Sequence, residues 1–196
     1  IWFLDARQET NHPRALEAWY TPAGLSQLLQ QDSAAADARL AAEPLDYLPL
    51  RDYQAAAIRA VEQRLAEGQR NMLVAMATGT GKTILCIGLA YRLIKLKRFR
   101  RILFLVDRTA LGEQAADRLK DVRLEHLQTF PDIYDVKELG DLRPEADTRL
   151  HISTVQGMIK RILYPADETQ PVPVDWYDCV IIDECHRGYT LDQEMS

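Results

Sequence analysis

Met76-Ala77-Thr78-Gly79-Thr80-Gly81-Lys82-Thr83 decides the reading of this chain. An apolar run, Asn71-Met72-Leu73-Val74-Ala75, leads into it, and a longer apolar segment continues from Thr83 to Leu96. Strand, glycine turn and helix, in that order, make up a phosphate cradle. Gly79 and Gly81 let the backbone turn tightly and aim successive N–H groups at anionic oxygens. The positive end of the helix that begins near Lys82 adds its field. Lys82 then reaches the outer phosphates as a point charge, and the Thr83 hydroxyl is placed to ligate magnesium. Thr78, Gly79, Thr80, Gly81, Lys82 and Thr83 are therefore the expected phosphate contacts. The pattern departs from G-x-x-x-x-G-K-T in having Met76 where the first glycine would stand.

A second stretch, Val180-Ile181-Ile182-Asp183-Glu184-Cys185-His186-Arg187-Gly188-Tyr189, ends an apolar run in two adjacent carboxylates. Taken alone, Asp-Glu at a strand end is a solvated terminus. Beside a phosphate loop, the pair acquires a task at the carboxyl edge of a parallel sheet, where ligands of open α/β folds bind. Asp183 is expected to hold magnesium, and Glu184 to orient and deprotonate an attacking water. Lys82, Asp183 and Glu184 form the expected catalytic set, with Thr83 and Asp183 as metal ligands.

Working outward, the chain from Arg51 onward alternates strands with helices. Tyr53, Ala57, Val61 and Leu65 recur at helical spacing, and Gly68 marks the helix end. Met72 to Ala75 reads as a buried strand and Thr83 to about Leu96 as a deeply packed helix. Arg101 to Asp107 reads as a second strand, with Thr109 capping a helix that runs through Leu119. Leu124 to Leu127 is a candidate short strand. Leu150 to Thr154 is another, followed by a helix with Val155, Met158, Ile159, Ile162 and Leu163 on one face, and Cys179 to Ile182 closes the series. Continuous apolar strands between helices predict an α/β fold with a parallel sheet covered on both faces. Residues 1 to about 45 differ in texture. Thr21-Pro22 starts a helix there, the alanine-rich Ser33 to Ala42 continues as helix, and Glu43-Pro44 ends it. The expected division is a connector over 1–45 and a domain over 46–196.

Composition bounds the rest. The chain has 196 residues, 47% of them hydrophobic and 27% charged, with a net charge of -5, which suits a soluble globular domain rather than a generally basic nucleic-acid binder. Cys86, Cys179 and Cys185 lack paired metal-ligand spacing and read as reduced, buried thiols of a cytoplasmic protein. No apolar stretch approaches the roughly 20 residues that span a bilayer, so no membrane partner is expected. His126 and His151 read as structural. Lys95, Lys97, Arg98, Arg100 and Arg101 read as a solvated helix end with favourable dipole charges. The chain starts at Ile1 and stops at Ser196, soon after the carboxylate motif, so it reads as part of something longer.

Met-Ala-Thr-Gly-Thr-Gly-Lys-Thr together with Asp-Glu-Cys-His-Arg-Gly-Tyr resembles superfamily 2 helicases and translocases, and more narrowly the motor subunit of type I restriction-modification enzymes. Leu50-Arg51-Asp52-Tyr53-Gln54 looks like the adenine-recognition motif of such motors, which implies that Arg51 and Gln54 contact base or phosphate. Ile102 to Asp107 with Arg108-Thr109 resembles motif Ia and Ser153-Thr154-Val155-Gln156 motif Ib, implying DNA contacts at Arg108, Ser153 and Thr154. The alternative for Ser153 and Thr154 is capping of the helix that follows. The resemblance implies a RecA-like first motor lobe downstream of a nuclease domain, truncated at its C-terminus. It also implies ATP and Mg2+ as cofactors, His186 as a coupling residue, and double-stranded DNA plus methyltransferase and specificity subunits as partners. Hydrolysis in the family needs a second lobe, so this chain alone is expected to bind Mg-ATP and hydrolyse it poorly. Two other readings stay open: a repair or RNA helicase lobe of the same superfamily, and a nucleotide-binding switch that does not hydrolyse.

Overall fold

Ile102-Leu-Phe-Leu-Val106 is apolar at every position, and a strand of that kind is stable only when both of its faces are covered. In the computed structural model it is a central strand of a four-stranded parallel sheet. The structure describes residues 19–163 and 173–185, and the backbone of a small antiparallel hairpin made by β1 (Trp2–Phe3) and β2 (Arg14–Ala15). The helices are α1 (Pro22–Gln30), α2 (Ser33–Ala42), α3 (Asp52–Ala66), α4 (Lys82–Lys95), α5 (Thr109–Asp121), α6 (Phe130–Ile133) and α7 (Val155–Leu163). The remaining strands are β3 (Ile102–Val106), β4 (Asp135–Lys137), β5 (Thr148–Thr154) and β6 (Cys179–Ile182), in the order β4-β5-β3-β6. Alternate residues of β3 serve different helices. Ile102, Phe104 and Val106 join the large core that contains α3, α4 and α5, while Leu103 and Leu105 pack with Val155 and Met158 of α7. The expected α/β architecture, a parallel sheet with helices on both faces, is what the chain forms.

Helix α4 is buried from Ile87 to Ile94, and one charge sits inside that run. Arg92 is fully buried, with Nε 2.6 Å from Glu62 Oε1 and Nη2 3.2 Å from Glu62 Oε2. Its remaining protons go to the carbonyls of Pro44, Leu40 and Glu43 and to the Tyr47 hydroxyl. Arg59 adds bonds to the Leu40 and Glu43 carbonyls at 2.8 and 2.5 Å. A helix leaves its last carbonyls without intrahelical partners. Two arginines supply those partners for α2, and Ala36 and Leu40 of α2 are buried, so α2 packs against α3 and α4. Thr21, accepting from Gly24 N at 3.0 Å, caps α1, and its own hydroxyl donates to Asp175 at 2.6 Å.

Several sequence expectations are corrected. Residues 72–75 form no strand: Met72, Leu73 and Val74 are 36, 77 and 38% exposed. A strand is a pairing rather than a composition, and no neighbour hydrogen-bonds to this run among the described residues. Leu124–Leu127 is not a strand, because His126 and Leu127 adopt left-handed rather than extended backbone, φ 53° and 63°, within a 3-10 turn over Glu125–Leu127. Thr109 is the first residue of α5, not its cap, and Arg108 occupies the cap position without a side-chain bond. The basic cluster is largely paired rather than solvated. Lys95 pairs with Glu43 and Glu125, Arg98 with Asp37 at 2.6 Å, and Arg100 donates to the Asp175 carbonyl at 2.7 Å. Arg101, 6% exposed, donates to the carbonyls of Thr148, Trp176 and Glu145. Cys185 is exposed rather than buried. His151 is structural as expected: it is fully buried between the Tyr177 hydroxyl at 2.6 Å and the Asp141 carbonyl at 3.1 Å.

Candidate functional site

The register of the sheet brings the chemistry to one edge. Leu105 of β3 lies beside Ser153 of β5 and Ile182 of β6, and the Asp183 N–H extends the ladder by donating to the Leu105 carbonyl at 2.9 Å. Asp107, Thr154 and Asp183 therefore leave the sheet together at its carboxyl edge.

The glycine loop arrives at the same edge. Thr78 and Gly79 turn under a Thr80 hydroxyl that donates to the Ala77 carbonyl at 2.6 Å. Gly79 and Gly81 have φ of 79° and 80°, a region that a side chain makes costly. Gly81 is the N-cap of α4, so the first free N–H groups of that helix begin at Lys82 and Thr83. Gln54, only 2% exposed, holds the loop from below. Its amide nitrogen donates to the carbonyls of Thr80 and Gly81, both at 3.0 Å, while its carbonyl accepts from Arg51 N at 2.8 Å. Tyr53 adds a second clamp: its hydroxyl donates to the Thr80 carbonyl at 2.8 Å and accepts from Arg51 Nη1 at 3.2 Å. Helical spacing places Tyr53 on a packing face, yet the residue is 44% exposed and Gln54 takes the buried position. Adjacency to Gln54 was the only signal for Tyr53 in the sequence.

Lys82 Nζ lies 2.8 Å from Glu184 Oε1, joining loop and carboxylate motif in one constellation. Glu184 has left-handed backbone, φ 54°. Its N–H donates to Asp183 Oδ1 at 2.9 Å. Asp183 is half-buried, and burial pushes its carboxyl above the usual carboxylate range. The Glu184 N–H opposes that shift, the Glu184 charge adds to it, and Lys82 opposes it. Burial also pushes the Cys86 thiol up to about 12, with Asp183 contributing and Lys82 opposing, so Cys86 is a neutral thiol near these charges.

The other expected site residues fall elsewhere. Arg108 is exposed and lies 3.4 Å from the Asp107 carboxylate. Ser153 is buried, with its hydroxyl 3.4 Å from the Thr154 carbonyl, and the Thr154 hydroxyl accepts from Gly157 N at 3.0 Å and so caps α7. His186 lies outside the described residues. Among the described residues no cluster of three or more His, Cys, Asp or Glu side chains could hold a metal ion by itself. The oxygen donors at hand, the Thr83 hydroxyl and the Asp183 carboxylate, suit a hard cation that keeps waters and shares phosphate oxygens, as magnesium does. No helix among the described residues is long and apolar enough to cross a membrane.

Comparison with known proteins follows the same lines. The family model described as "Type III restriction enzyme, res subunit" (ResIII) matches residues 47–194, and one described as the second domain of the type I restriction enzyme EcoKI endonuclease subunit matches residues 1–29. The EcoKI endonuclease subunit of Escherichia coli K12 is 45% identical over 197 residues, covering 100% of this chain and 16% of that protein. The EcoAI endonuclease subunit of Escherichia coli is 33% identical over 70% of this chain and 16% of its own length. The putative ATP-dependent helicase IRC3 of Saccharomyces cerevisiae is 31% identical over 71% of this chain and 19% of its own length. This chain thus spans less than a fifth of each of these relatives. With the ResIII match covering most of its length, the chain belongs to the ResIII family of superfamily 2 helicase-like restriction-enzyme domains.

Proposed function

We propose that this chain is the first, ATP-binding motor lobe of a type I restriction enzyme's endonuclease subunit, which uses ATP to translocate double-stranded DNA. The observation that carries the reading is the 2.8 Å pair between Lys82 and Glu184, which joins a glycine-turn helix start to the carboxylates that end β6. A chance loop lysine has no reason to meet the motif carboxylate.

In this reading, the N–H groups of Thr78 to Thr83 receive the phosphates, and Lys82 exchanges Glu184 for the terminal phosphate. Thr83 and Asp183 would hold Mg2+, which neutralises charge on the phosphate oxygens when bound. Glu184, released from Lys82, orients the attacking water and takes its proton. Arg51, at the exposed start of α3, and Gln54 form the base side of the site. Because the Gln54 amide already grips two loop carbonyls, its contact with the base and its grip on the loop are coupled. Arg108, Ser153 and Thr154 belong to the DNA-facing side, and His186 couples the two sides. The domain arrangement is a connector over 1–45, leading from a nuclease domain, and a motor lobe over 46–196. The partners are DNA and the methyltransferase and specificity subunits, in the cytoplasm. Since the chain covers 16% of the relative that it matches throughout, the reading has the isolated chain bind Mg-ATP but turn it over poorly.

The yeast relative favours a second reading, a superfamily 2 helicase outside restriction. The match of residues 1–29 to a type I restriction domain supports the first. Equilibrium titration with a fluorescent ATP analogue tests the nucleotide site. Lys82→Ala is expected to weaken binding at least tenfold, the effect of losing about 1.4 kcal/mol, and equal affinity in the variant would remove Lys82 from the site.

A further inference from the structure

Helix α1 is nine residues long, shorter than the roughly 12–15 at which an isolated helix begins to hold in water. It needs neighbours, and the lobe supplies them along one side. Asp175 sits at its first turn, where a carboxylate suits the positive end of a helix. Its Oδ1 accepts from Thr21 N at 3.2 Å and its Oδ2 from the Thr21 hydroxyl at 2.6 Å. Gly24 is the buried residue of the helix, and a Cβ there would lie 1.5 Å from Asp175 Oδ2. At the other end, Gln31 Nε2 donates to the Arg98 carbonyl. Asp175 is itself fixed, since its carbonyl accepts from Arg100 Nη2 at 2.7 Å, and nearby Asp178 accepts from Arg100 N and Arg101 N at 2.7 and 3.2 Å. The helix is therefore anchored to the segment that leads into β6, at the edge of the sheet opposite Asp183.

The other side of α1 is apolar and open. Leu25, Leu28 and Leu29 recur at i, i+3 and i+4 and so share one face, and they are 45, 48 and 79% exposed. Single exposed leucines are ordinary, but three on one face of a helix too short to stand alone call for a cover. The helix carries no charged residue, which suits an apolar protein surface rather than a nucleic acid. Residues 1–29, which take in all three leucines, match the second domain of a type I restriction endonuclease subunit, whereas the ResIII match begins at residue 47. A stretch of that length lies below the about 40 residues at which a chain can close a core unaided, so the matched residues are one piece of a larger domain. This chain corresponds to 16% of the EcoKI subunit, which leaves room for the rest.

We propose that α1 is the docking helix between two domains of the full-length protein. Its Gly24 side is clamped to the lobe by Asp175, and its Leu25–Leu28–Leu29 side seats in an apolar surface of the second domain. The docking depends on the domain to which residues 1–29 belong and not on whether the lobe moves DNA. Because the clamp lies at the far edge of the sheet, it leaves the Lys82–Glu184 site open.

Hydrogen exchange of the full-length gene product tests this. The amides of α1 should exchange at least about a hundredfold more slowly than those of an unstructured chain. Leu28→Asp with Leu29→Asp should abolish most of that protection and speed exchange in second-domain peptides outside residues 1–29, while peptides of α4 and β3 keep wild-type rates. Gln27→Asp puts the same charge on the opposite face and should change neither domain. Gly24→Ala separates the two sides: it should speed exchange over residues 173–178 while the second-domain peptides stay protected. ATP-analogue affinity should be the same in all. Unprotected α1 amides in the wild type, or equal protection in the wild type and the leucine variant, would overturn the docking. So would protection that rises with protein concentration, the mark of a second copy as the cover. Absence of DNA-stimulated ATP hydrolysis in the wild type would overturn the motor reading and leave the docking standing.

Discussion

Adding one methyl group at Gly81 tests how the phosphate loop is held. Two costs add there. The backbone sits at φ 80°, where a β-carbon costs about 1–2 kcal/mol. The new carbon would also lie 2.6 Å from Gln54 Nε2, so the amide must withdraw from both loop carbonyls, each 3.0 Å away. Two hydrogen bonds of about 1 kcal/mol each are then lost, for a total near 3–4 kcal/mol. Gly79 is the internal control. Its φ is 79°, but nothing lies within 4 Å of an added Cβ, so Gly79→Ala should show the backbone cost alone. In a Gln54→Ala background the clash and both bonds are already gone, so Gly81→Ala should there cost only about 1–2 kcal/mol. Urea unfolding of the four combinations gives a coupling of about 2 kcal/mol between positions 54 and 81. ATP-analogue titration should give the same coupling as about 30-fold in affinity. Additive effects, or a Gly79→Ala variant as damaged as Gly81→Ala, would refute the clamp.

Two further predictions concern the body of the lobe. Glu62→Leu leaves Arg92 buried without its carboxylate and should cost about 3–5 kcal/mol in urea unfolding, while Glu62→Leu with Arg92→Met should recover most of it; equal damage in the two would contradict the buried-pair account. His151 is held neutral, with its pKa pushed down to about 4 chiefly by burial. Its Nε2–H donates to the Asp141 carbonyl and its Nδ1 accepts from the Tyr177 hydroxyl. The unfolded chain takes up this proton near pH 6.5 and the folded one only near 4, so stability should fall as pH drops through that window, by up to about 3 kcal/mol. His151→Gln should flatten the curve there, and parallel stability–pH profiles for the two proteins would refute it.

What the sequence makes legible depends on whether a residue's role is local. The Gly79–Gly81 turn, the start of α4 at Lys82 and the Asp183-Glu184 strand end are set by neighbours in the chain, and the 2.8 Å Lys82–Glu184 pair joins them as the motifs imply. β3 and β6 follow from their apolar runs, and β5 from Leu150 and Ile152 alternating with polar residues. Met72–Ala75 is as apolar, yet strand formation needs a partner edge, which hydrophobicity cannot reveal. β4 and α6 are three and four residues long, too short to impose a period. The partners of charges were least visible. Arg92 stands out as a charge inside an apolar helix, a usable signal for a buried pair, but nothing in the sequence points to Glu62. Likewise, the cluster from Lys95 to Arg101 reads as solvated until α2, the 141–148 turn and the segment before β6 fold over it. Gln54 was legible as a site residue but not in its direction, since helical spacing cannot tell a residue aimed at the loop from one aimed at solvent.

The most direct measurement of the central claim is phosphate release by the full-length gene product, with and without DNA, comparing wild type with Glu184→Gln. The account predicts DNA-stimulated hydrolysis in the wild type. It also predicts loss of about 10²–10⁴-fold in the variant, with ATP-analogue affinity retained because Lys82 and the loop are untouched. Undiminished hydrolysis in Glu184→Gln would contradict it.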